Sequence, residues 1–464
     1  MRPTAEVFVA AGEFDVIVIG MGPGGERVAG QLAAAGLAVA GIESRLVGGE
    51  CPYYGCVPSK MMIRAANLLA EAGRIPGLAG QASVDPSWEP VAGRIRDEAT
   101  DDWDDTAAAD RFTGQGGHLF RGHGMITAPG QVTVGDQVLR ARRGIVLATG
   151  TSPAIPPIPG LAGTPYWTNR EAIKTTRVPR SLVVLGGGAI GAELAQVFAR
   201  FGARVTVVEG LGQLLPGEEP ETGDLLAGVF EADGIGVRTR VTASRVRYAD
   251  DAFTVTLADG TSLTASNLLV ATGRRTDLAA IGAGAAGIDE NASFVPVDDR
   301  MRAAPGIWAI GDIVGHGLFT HLAVYHADIV IADVLGRPHH GADYRAVPRV
   351  TFTDPEVGAV GLTQAQARGQ GLDVRTGLAR VPASARGWIH KAGNEGFIKL
   401  IESTGSGLLI GATSAGPAGG EVLSMLTLAI QAQVPVARLH EMIYAYPTFH
   451  RAVEDALAAL AEQS

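Results

Sequence analysis

The chain has 464 residues, of which 46% are hydrophobic and 19% charged, with a formal net charge of −10 and two cysteines. This length suits two to four domains, and the apolar content excludes a mostly disordered chain. The net negative charge argues against binding to nucleic acid or to a membrane surface. Two cysteines are too few for a secreted fold held by several disulfides. Residues 1–15 lack a signal-peptide core and no apolar run predicts a membrane helix, so we expect a cytoplasmic protein.

Two stretches of the sequence share one plan. Residues 14–43 and residues 181–209 each begin with an apolar run, continue with G-x-G-x-x-G and helical periodicity, and end with a second apolar run and Glu. This order predicts two βαβ units that each bind a dinucleotide, with the phosphates at a helix N-terminus. One glycine pattern alone is a weak signal, but two copies with matching flanks argue against ordinary glycine-rich turns.

Each residue of this fingerprint has an expected role. The first glycine makes the turn, the second lets the backbone approach the pyrophosphate, and the third lets the helix pack on the strand. In the two copies these glycines are Gly20, Gly22 and Gly25, and Gly186, Gly188 and Gly191. Glu43 and Glu209 are expected to accept hydrogen bonds from ribose hydroxyls. Two units indicate two dinucleotides, most simply FAD and a nicotinamide.

The second glutamate also predicts which nicotinamide is used. The carboxylate of Glu209 would repel the 2′-phosphate of NADPH. The segment that follows it, GLGQLLPG, contains no arginine to receive that phosphate. We therefore expect NADH to be preferred over NADPH.

Both cysteines lie in GGECPYYGCVPSK, as Cys51 and Cys56. On a regular helix their Cα atoms would be roughly 8–9 Å apart, whereas a disulfide needs about 4.4–6.8 Å. A bridge therefore requires a distorted helix start, which the intervening glycine and proline permit. A zinc site would need further ligands at metal spacing, and a structural bridge is unfavourable in a reducing cytosol. A redox pair next to a flavin is the preferred interpretation.

The segment GGECPYYGCVPSK resembles the redox segment of the class I pyridine nucleotide–disulfide oxidoreductases. Further matches follow in family order over nearly the whole chain: ATGTSP, GGGAIGAE, ATGRRTD, IWAIGD, FTDPEVGAVGLT and YPTFH. The resemblance implies an α/β fold with two Rossmann-like dinucleotide-binding domains and a C-terminal α+β dimerisation domain. The implied boundaries are 1–155 and 277–343 for the FAD domain, 156–276 for the NAD domain and 344–464 for the dimerisation domain.

The resemblance also implies roles for individual side chains. Cys56 would form the thiolate next to FAD, and Cys51 would be the thiol that attacks the substrate. Lys60 would lie near the flavin, paired with Glu193, and Asp312 would bind the ribityl chain. Without the resemblance, Lys60 and Glu193 would be interpreted as surface residues and Asp312 as a helix cap. Further cofactor contacts are expected at Gly124, Thr149, Gly150, Gly273 and Thr320.

The C-terminal segment YAYPTFHRAVED departs from the family pattern. Tyr446 stands where the family has a catalytic histidine, supplied by the partner subunit, and Arg451 stands where it has glutamate. Tyrosine, with a pKa near 10, is a poor base at neutral pH. If a helix begins at Pro447, His450 and Glu454 would form a replacement histidine–carboxylate pair on one face. The alternative is an ordinary exposed helix turn.

Other segments carry weaker predictions. Glu50 stands where the family often has threonine, and a carboxylate there is expected to raise the pKa of Cys51. The acidic stretch RDEATDDWDD, residues 96–105, is predicted as a solvated helix. EVLSMLTLAIQAQV predicts an amphipathic helix, and GFIKLIES and GLLIGATSAG predict strands.

The leading hypothesis is a homodimeric enzyme that passes electrons from NADH through FAD and the Cys51–Cys56 disulfide to a small-molecule disulfide, as dihydrolipoamide dehydrogenase does. An alternative is a quinone or diaphorase-type reductase, which the altered histidine–glutamate pair favours. A catalytically idle flavoprotein is disfavoured by the nicotinamide fingerprint. Mercury reduction is disfavoured because the sequence has no further cysteine pair for a soft metal, and no metal site is expected.

Overall fold

The structure is a computed structural model that describes residues 12–462. Most of the stretch tested for a signal peptide, residues 1–11, lies outside the described residues. In chain order the strands are β1 Glu13–Ile19, β2 Val39–Glu43, β3 His118–Arg121, β4 Gly124–Ala128, β5 Gln131–Val134, β6 Gln137–Leu147, β7 Ser152–Pro153, β8 Ser181–Leu185, β9 Arg204–Val208, β10 Gly236–Arg238, β11 Ala243–Ala249, β12 Ala252–Leu257, β13 Ser262–Ala265, β14 Asn267–Val270, β15 Arg274–Arg275, β16 Arg302–Ala304, β17 Ile307–Ala309, β18 Pro348–Thr351, β19 Glu356–Gly361, β20 Val374–Arg380, β21 Phe397–Ser403 and β22 Leu408–Gly416.

The α-helices connect or flank these strands. They are α1 Pro23–Ala34, α2 Glu50–Tyr54, α3 Cys56–Arg74, α4 Glu89–Arg94, α5 Thr106–Gly114, α6 Asn169–Lys174, α7 Ala189–Arg200, α8 Pro220–Ala232, α9 Thr320–Val334, α10 Gln364–Gly369, α11 Ala385–His390, α12 Gly419–Gln431, α13 Val436–His440 and α14 Ala452–Ala461. Within the described range, no helix combines the length and apolar character that a membrane span requires.

The chain divides into two compact units. The first comprises the residues up to Pro58, Arg94–Ala154 and Arg274–Asp343, and the second comprises Ser59–Gly93, Ile155–Gly273 and the residues from Tyr344 onward. Residues 59–93, which fall inside the predicted first domain, group with the second unit. Each unit contains one of the two βαβ repeats.

The first unit is built on an eight-stranded mixed sheet in the order β16-β17-β6-β1-β2-β3, with β4 and β5 joined to it through β6. Strand β1 pairs in parallel with β2 and β6, and β17 pairs in parallel with β6. Apolar side chains of these strands, including Ile17, Ile42 and Leu147, are fully buried. The carboxyl ends of parallel strands share one edge, which is where ligands bind in such sheets.

The second unit repeats this plan. Its four-stranded parallel sheet has the order β10-β9-β8-β14, which matches β3-β2-β1-β6 of the first unit. An antiparallel sheet, β11-β12-β13, takes the place of the β4-β5 hairpin. The sequence repeat therefore corresponds to the same Rossmann-like topology formed twice.

The C-terminal part of the second unit is an antiparallel sheet in the order β18-β19-β22-β21-β20. Helices α12 and α14 bury apolar faces in its core, with Leu426 and Leu457 fully buried. The amphipathic helix and the two strands predicted here are confirmed. The fold class is also confirmed: two Rossmann-like domains and a C-terminal α+β domain.

The prediction of a solvated helix over residues 96–105 is wrong. A short π-helical turn covers Ile95–Ala99, and Asp101, Asp102 and Trp103 then have φ of 48°, 53° and 59°. The Thr100 hydroxyl ends the turn by donating to the carbonyl of Ile95 at 2.9 Å. Three successive left-handed residues cannot continue a right-handed helix.

Candidate active site

The first glycine of each fingerprint occupies a backbone conformation that other residues avoid. Gly20 has φ of 93° and Gly186 has φ of 105°. A Cβ added to Gly20 would lie 2.5 Å from the carbonyl oxygen of Ala148, and one added to Gly186 would lie 2.3 Å from that of Ala271. Both positions therefore need glycine for conformation and for space.

The second and third glycines differ in their surroundings. Gly22 and Gly188 precede α1 and α7, and an added Cβ would meet nothing within 4 Å at either. At Gly25 and Gly191 an added Cβ would lie 2.0 Å from the carbonyl oxygen of the first glycine of its own loop. The second glycines therefore leave the helix N-termini open to a ligand, whose phosphates the free N–H groups and the helix dipole can bind.

The two terminal glutamates make equivalent hydrogen bonds. Glu43 accepts from the N–H of Met21 at 2.8 Å and from that of Arg45 at 2.8 Å. Glu209 accepts from the N–H of Gly187 at 2.6 Å and from that of Leu211 at 2.7 Å. Each carboxylate thus ties its glycine loop to the turn after the second strand. Each oxygen keeps a lone pair for a ribose hydroxyl, so the residues in both units fit an adenine dinucleotide.

Helical structure is interrupted between the two cysteines. Gly55, with φ of −132° and ψ of −115°, separates α2, which carries Cys51, from α3, which begins at Cys56. Both cysteines are free thiols, Cys51 half-buried and Cys56 exposed. A hydrogen bond to Cys56, together with burial, raises the pKa of Cys51. Protonation of Cys51 is therefore favoured.

Helix α9 presents its N-terminus to this sulfur pair. The Oγ1 atom of Thr320, the first residue of α9, lies 3.4 Å from the Sγ atom of Cys56. A hydroxyl and the positive end of a 15-residue helix both stabilise a thiolate. The sequence predicted only a cofactor contact at Thr320 and not this contact of its side chain with Cys56, because no local pattern pairs residues so far apart.

The loop before the cysteines packs on the first glycine loop. The N–H of Gly48 donates to the carbonyl of Met21 at 2.7 Å, and a Cβ on Gly49 would lie 2.8 Å from Cα of Gly22. On the other side, the Trp103 indole donates to the carbonyl of Tyr53 at 3.2 Å. These contacts fix the cysteine segment next to the expected pyrophosphate position.

Asp312 lies on the carboxyl edge of the first sheet, just after β17. It accepts from the Thr151 hydroxyl at 3.0 Å, and Arg274 donates to that hydroxyl at 2.7 Å. Burial raises the pKa of Asp312, Arg274 and Thr151 oppose the rise, and the Glu50 carboxylate adds to it. The pKa of Cys51 is raised, as expected, but its main causes are the Cys56 hydrogen bond and burial, and the Glu50 carboxylate contributes to the raised pKa of Asp312.

His326 is a buried residue next to this aspartate that the sequence did not single out. Its Nδ1 atom accepts from the N–H of Gly311 at 3.2 Å, so the ring supports the turn that carries Asp312. Burial, assisted by His316, lowers the pKa of His326 to about 4. A neutral ring with Nδ1 as acceptor is the form that this hydrogen bond requires.

The expected ion pair between Lys60 and Glu193 is present in the second unit. The Lys60 ammonium donates to Glu193 at 2.8 Å, and the other carboxylate oxygen accepts from the N–H of Phe352 at 2.8 Å. Lys60 also lies 4.6 Å from the centroid of the Phe352 ring. Glu193 is buried, so the lysine, one helical turn after Cys56 on α3, is held in a fixed position.

The remaining predicted cofactor contacts fall into two groups. Thr149 is exposed, and Gly150 and Gly273, with φ of 63° and 111°, have nothing within 4 Å of an added Cβ. Gly124, in contrast, is buried, with an added Cβ 3.0 Å from Ile42 and 3.1 Å from Ile19. Gly124 could therefore contact a ligand only through its backbone.

The predicted histidine–carboxylate pair is not formed. Pro447 does not begin a helix: a 3₁₀ turn covers Phe449–Arg451, and α14 begins only at Ala452. The Glu454 carboxylate forms an ion pair with Arg451 instead of with His450. Tyr446 is 70% exposed, with the Arg451 guanidinium 5.4 Å from its ring centroid.

Two family models account for nearly all of this architecture. The pyridine nucleotide-disulphide oxidoreductase model matches residues 14–327, and the dimerisation domain model of the same family matches residues 347–457. The chain belongs to the pyridine nucleotide-disulphide oxidoreductase family. The two cysteines, the two glycine loops and the C-terminal sheet described above all lie within these matches.

Relatives with assigned activities are similar over almost the whole chain. Mercuric reductase of Acidithiobacillus ferrooxidans is 35% identical over 448 residues, covering 94% of this chain and 80% of that protein. Dihydrolipoyl dehydrogenase of Thermus scotoductus is 32% identical over 460 residues, covering 97% and 98%. The protein is therefore an oxidoreductase of the FAD-dependent class that uses a pyridine nucleotide.

Solved structures agree with this assignment. The HOCl-induced flavoprotein disulfide reductase RclA from Escherichia coli matches with a TM-score of 0.84 at 26% identity, covering 96% of this chain and 99% of that chain. LpdA from Mycobacterium tuberculosis matches with a TM-score of 0.83 at 26% identity, with the same coverage. The dimerisation domain supports a homodimer, and apolar side chains in it, Trp388, Leu428 and Ile443, are 73%, 66% and 95% exposed.

Proposed function

We propose that this protein is an NADH-dependent disulfide reductase that passes electrons through FAD to the Cys51–Cys56 pair and on to a small-molecule disulfide. The observation that carries the proposal is the asymmetry of the cysteines. Cys51 donates to Cys56, and Cys56 lies at the N-terminus of α9. The Cys56 sulfur is thus suited to hold negative charge next to a cofactor, and the Cys51 sulfur to exchange with a disulfide substrate.

The residues of the first unit would hold FAD. The open helix N-terminus at Gly22 would bind the pyrophosphate, Glu43 a ribose hydroxyl, and Asp312 the ribityl chain. When bound, FAD accepts a hydride from the nicotinamide and passes two electrons to the disulfide. Gly188 and Glu209 of the second unit would bind NADH in the same manner.

Reduction of the disulfide breaks the Cys51–Cys56 bond with two electrons and one proton. The product is a thiol on Cys51 and a thiolate on Cys56, the arrangement that the raised pKa of Cys51 favours. After losing its proton, Cys51 attacks one sulfur of the acceptor, which forms a mixed disulfide and releases one thiolate. Cys56 then attacks Cys51, re-forming the pair and releasing the second thiolate.

The attack by Cys51 needs a proton acceptor, and this is where the chain departs from its family. Tyr446 or His450 of a second copy would occupy the position of the usual base. A neutral tyrosine can donate a hydrogen bond but is a weak base near pH 7. Slow disulfide exchange at neutral pH, with faster exchange at alkaline pH, is the expected consequence.

The second candidate function is an NADH:quinone or diaphorase-type reductase. The ion pair of Glu454 with Arg451 favours it, because His450 then has no carboxylate to orient it as a base. Such an enzyme would need FAD and NADH but not the cysteines. A cytoplasmic, reducing setting instead favours the disulfide reductase, because it fits a catalytic rather than a structural cysteine pair.

The deciding experiment is an anaerobic titration of the FAD-loaded protein with NADH, followed by absorbance. We expect the first two electrons to produce the long-wavelength band of a thiolate in contact with oxidised FAD. Cys56→Ser should abolish this band, whereas Cys51→Ser should retain a thiolate and keep it.

Turnover of the same variants separates the two candidate functions. Both serine variants should lose disulfide turnover and retain NADH oxidation with a quinone. If wild-type protein bleaches without the band and reduces only quinones, the disulfide reductase proposal is wrong and the quinone reductase is supported.

A further inference from the structure

The turn after Glu209 decides which nicotinamide dinucleotide fits the second unit. In this type of fold an acidic residue here binds the 2′-hydroxyl of NADH, whereas a nearby arginine accommodates the 2′-phosphate of NADPH. Glu209 supplies the acid, and residues 210–217 contain no arginine. The sequence alone therefore predicts a site adapted to NADH.

The fold brings an arginine to this turn from elsewhere in the chain. The N–H of Arg240 donates to the carbonyl of Leu211 at 2.8 Å, and the N–H of Val241 donates to that of Glu209 at 3.3 Å. A segment just beyond strand β10 is thereby joined to the turn. Because β9 and β10 are parallel neighbours, their carboxyl ends meet at the edge where the coenzyme binds.

The side chain of Arg240 extends along the turn. A Cβ added to Gly212 would lie 3.5 Å from the Nε atom of Arg240 and 3.6 Å from its Nη2 atom. Gly212 is three residues after Glu209, and its lack of a side chain leaves room for the guanidinium. The guanidinium therefore lies beside the turn that follows Glu209.

Within the part of the chain that the structure describes, the guanidinium has no competing partner. Among residues 12–462, none forms a hydrogen bond or ion pair with the Arg240 side chain, which is exposed. The neighbouring Arg238, in contrast, acts electrostatically on Asp259. Arg240 also has φ of 56°, a left-handed conformation that is uncommon for arginine and is more frequent at functional positions.

We infer that Arg240 is a coenzyme-specificity residue that binds the 2′-phosphate of NADPH and gives this protein dual coenzyme use. The inference rests on the proposed use of a nicotinamide dinucleotide. Glu209 still favours NADH, and Arg240 offsets its repulsion of the phosphate with a charge-assisted hydrogen bond. The ratio between the two coenzymes is then set by these two side chains together.

The test uses adenosine fragments of the coenzymes and the FAD-loaded protein. Calorimetric titration with 5′-ADP and with 2′,5′-ADP measures the contribution of the 2′-phosphate without any turnover. We expect both fragments to bind the wild-type protein. Arg240→Gln should weaken 2′,5′-ADP binding about tenfold and change 5′-ADP binding less than about twofold. Glutamine is suitable because it occupies the left-handed backbone at a cost similar to that for arginine.

Arg238→Gln is the matched control, because it removes the same charge two residues away and should change neither affinity. The ratio of kcat/KM for NADPH to that for NADH should fall about tenfold in Arg240→Gln only. Unchanged 2′,5′-ADP binding in Arg240→Gln, or an equal loss in Arg238→Gln, would overturn the inference while leaving the nicotinamide site intact. Failure of 5′-ADP to bind the wild-type protein would contradict the nicotinamide site itself, and the inference with it.

Discussion

The Sγ atom of Cys56 lies 3.4 Å from the Oγ1 atom of Thr320, the first residue of helix α9. This contact joins two segments that are 264 positions apart in the chain. It places the Cys56 sulfur at the positive end of a helix and beside a hydroxyl, and the same hydroxyl also forms a hydrogen bond with Cys51.

Replacement of this hydroxyl is expected to raise the pKa of Cys56. Thr320→Val keeps the shape of the side chain but removes the hydrogen bond, and a hydrogen bond to a charged group contributes about 1.5–3 kcal/mol. The pKa of Cys56 should therefore rise, because the thiolate loses a hydrogen-bond donor. The pH dependence of iodoacetamide alkylation of the reduced protein measures this change. Thr320→Ser, which keeps a hydroxyl, is the control, and equal alkylation profiles for Val and wild type would contradict the role of Thr320.

The Lys60–Glu193 pair is expected to show measurable coupling because Glu193 is buried and also accepts from the Phe352 N–H. In a double-mutant cycle with Lys60→Met and Glu193→Gln, the coupling in the free energy of unfolding should be about 1 kcal/mol. The exposed pair Arg94–Glu98 is the control and should give a value near zero. Equal coupling in the two pairs would show that burial does not strengthen the Lys60 contact.

Because His326 is buried with a lowered pKa, we expect the free energy of unfolding to fall on acidification. Its pKa is about 4 in the fold, against an ordinary value of 6.5, so the unfolded chain binds a proton that the native ring resists. Its contribution is fully present above pH 6.5 and is lost as the pH falls toward 4, by roughly 3 kcal/mol in total. The measurement is the unfolding midpoint of the protein between pH 4 and 7.

A variant with asparagine at position 326 distinguishes the contribution of His326 from the acid sensitivity of the rest of the protein. His326→Asn can still accept from the Gly311 N–H but does not titrate, so its midpoint should fall less steeply with acidification. The exposed His440, changed to asparagine, should leave the slope of wild type unaltered. If the His326→Asn slope equals that of wild type, the buried histidine is not the origin of the pH dependence.

The ion pair of Glu454 with Arg451 predicts that His450 is not the catalytic base. His450→Ala should change disulfide turnover less than about twofold and leave its pH profile in place, because an unoriented imidazole contributes little. Tyr446→Phe should lower turnover more than His450→Ala if the tyrosine hydroxyl assists Cys51. A tenfold loss in His450→Ala would restore the histidine as the base.

Several features of the protein could be predicted from the sequence because they depend on local requirements. The glycines at 20 and 186 are needed for positive φ, and those at 25 and 191 for close backbone approach. Alternating apolar runs and helical periodicity predicted both βαβ units, and residue order predicted the family. The Lys60–Glu193 pair was implied by the family resemblance of the two motifs that contain these residues.

Tertiary structure decided the features that depend on which residues the fold brings together. The hydroxyl of Thr320 at Cys56, the Nδ1 atom of His326 at Gly311 and the guanidinium of Arg240 at Gly212 have no local sequence pattern. The acidic stretch at 96–105 has helical composition, yet three left-handed residues and the Thr100 hydroxyl end its helical turn. The sequence determined where the chain can bend and which faces are apolar, whereas the packing of distant segments determined which polar and charged side chains lie side by side.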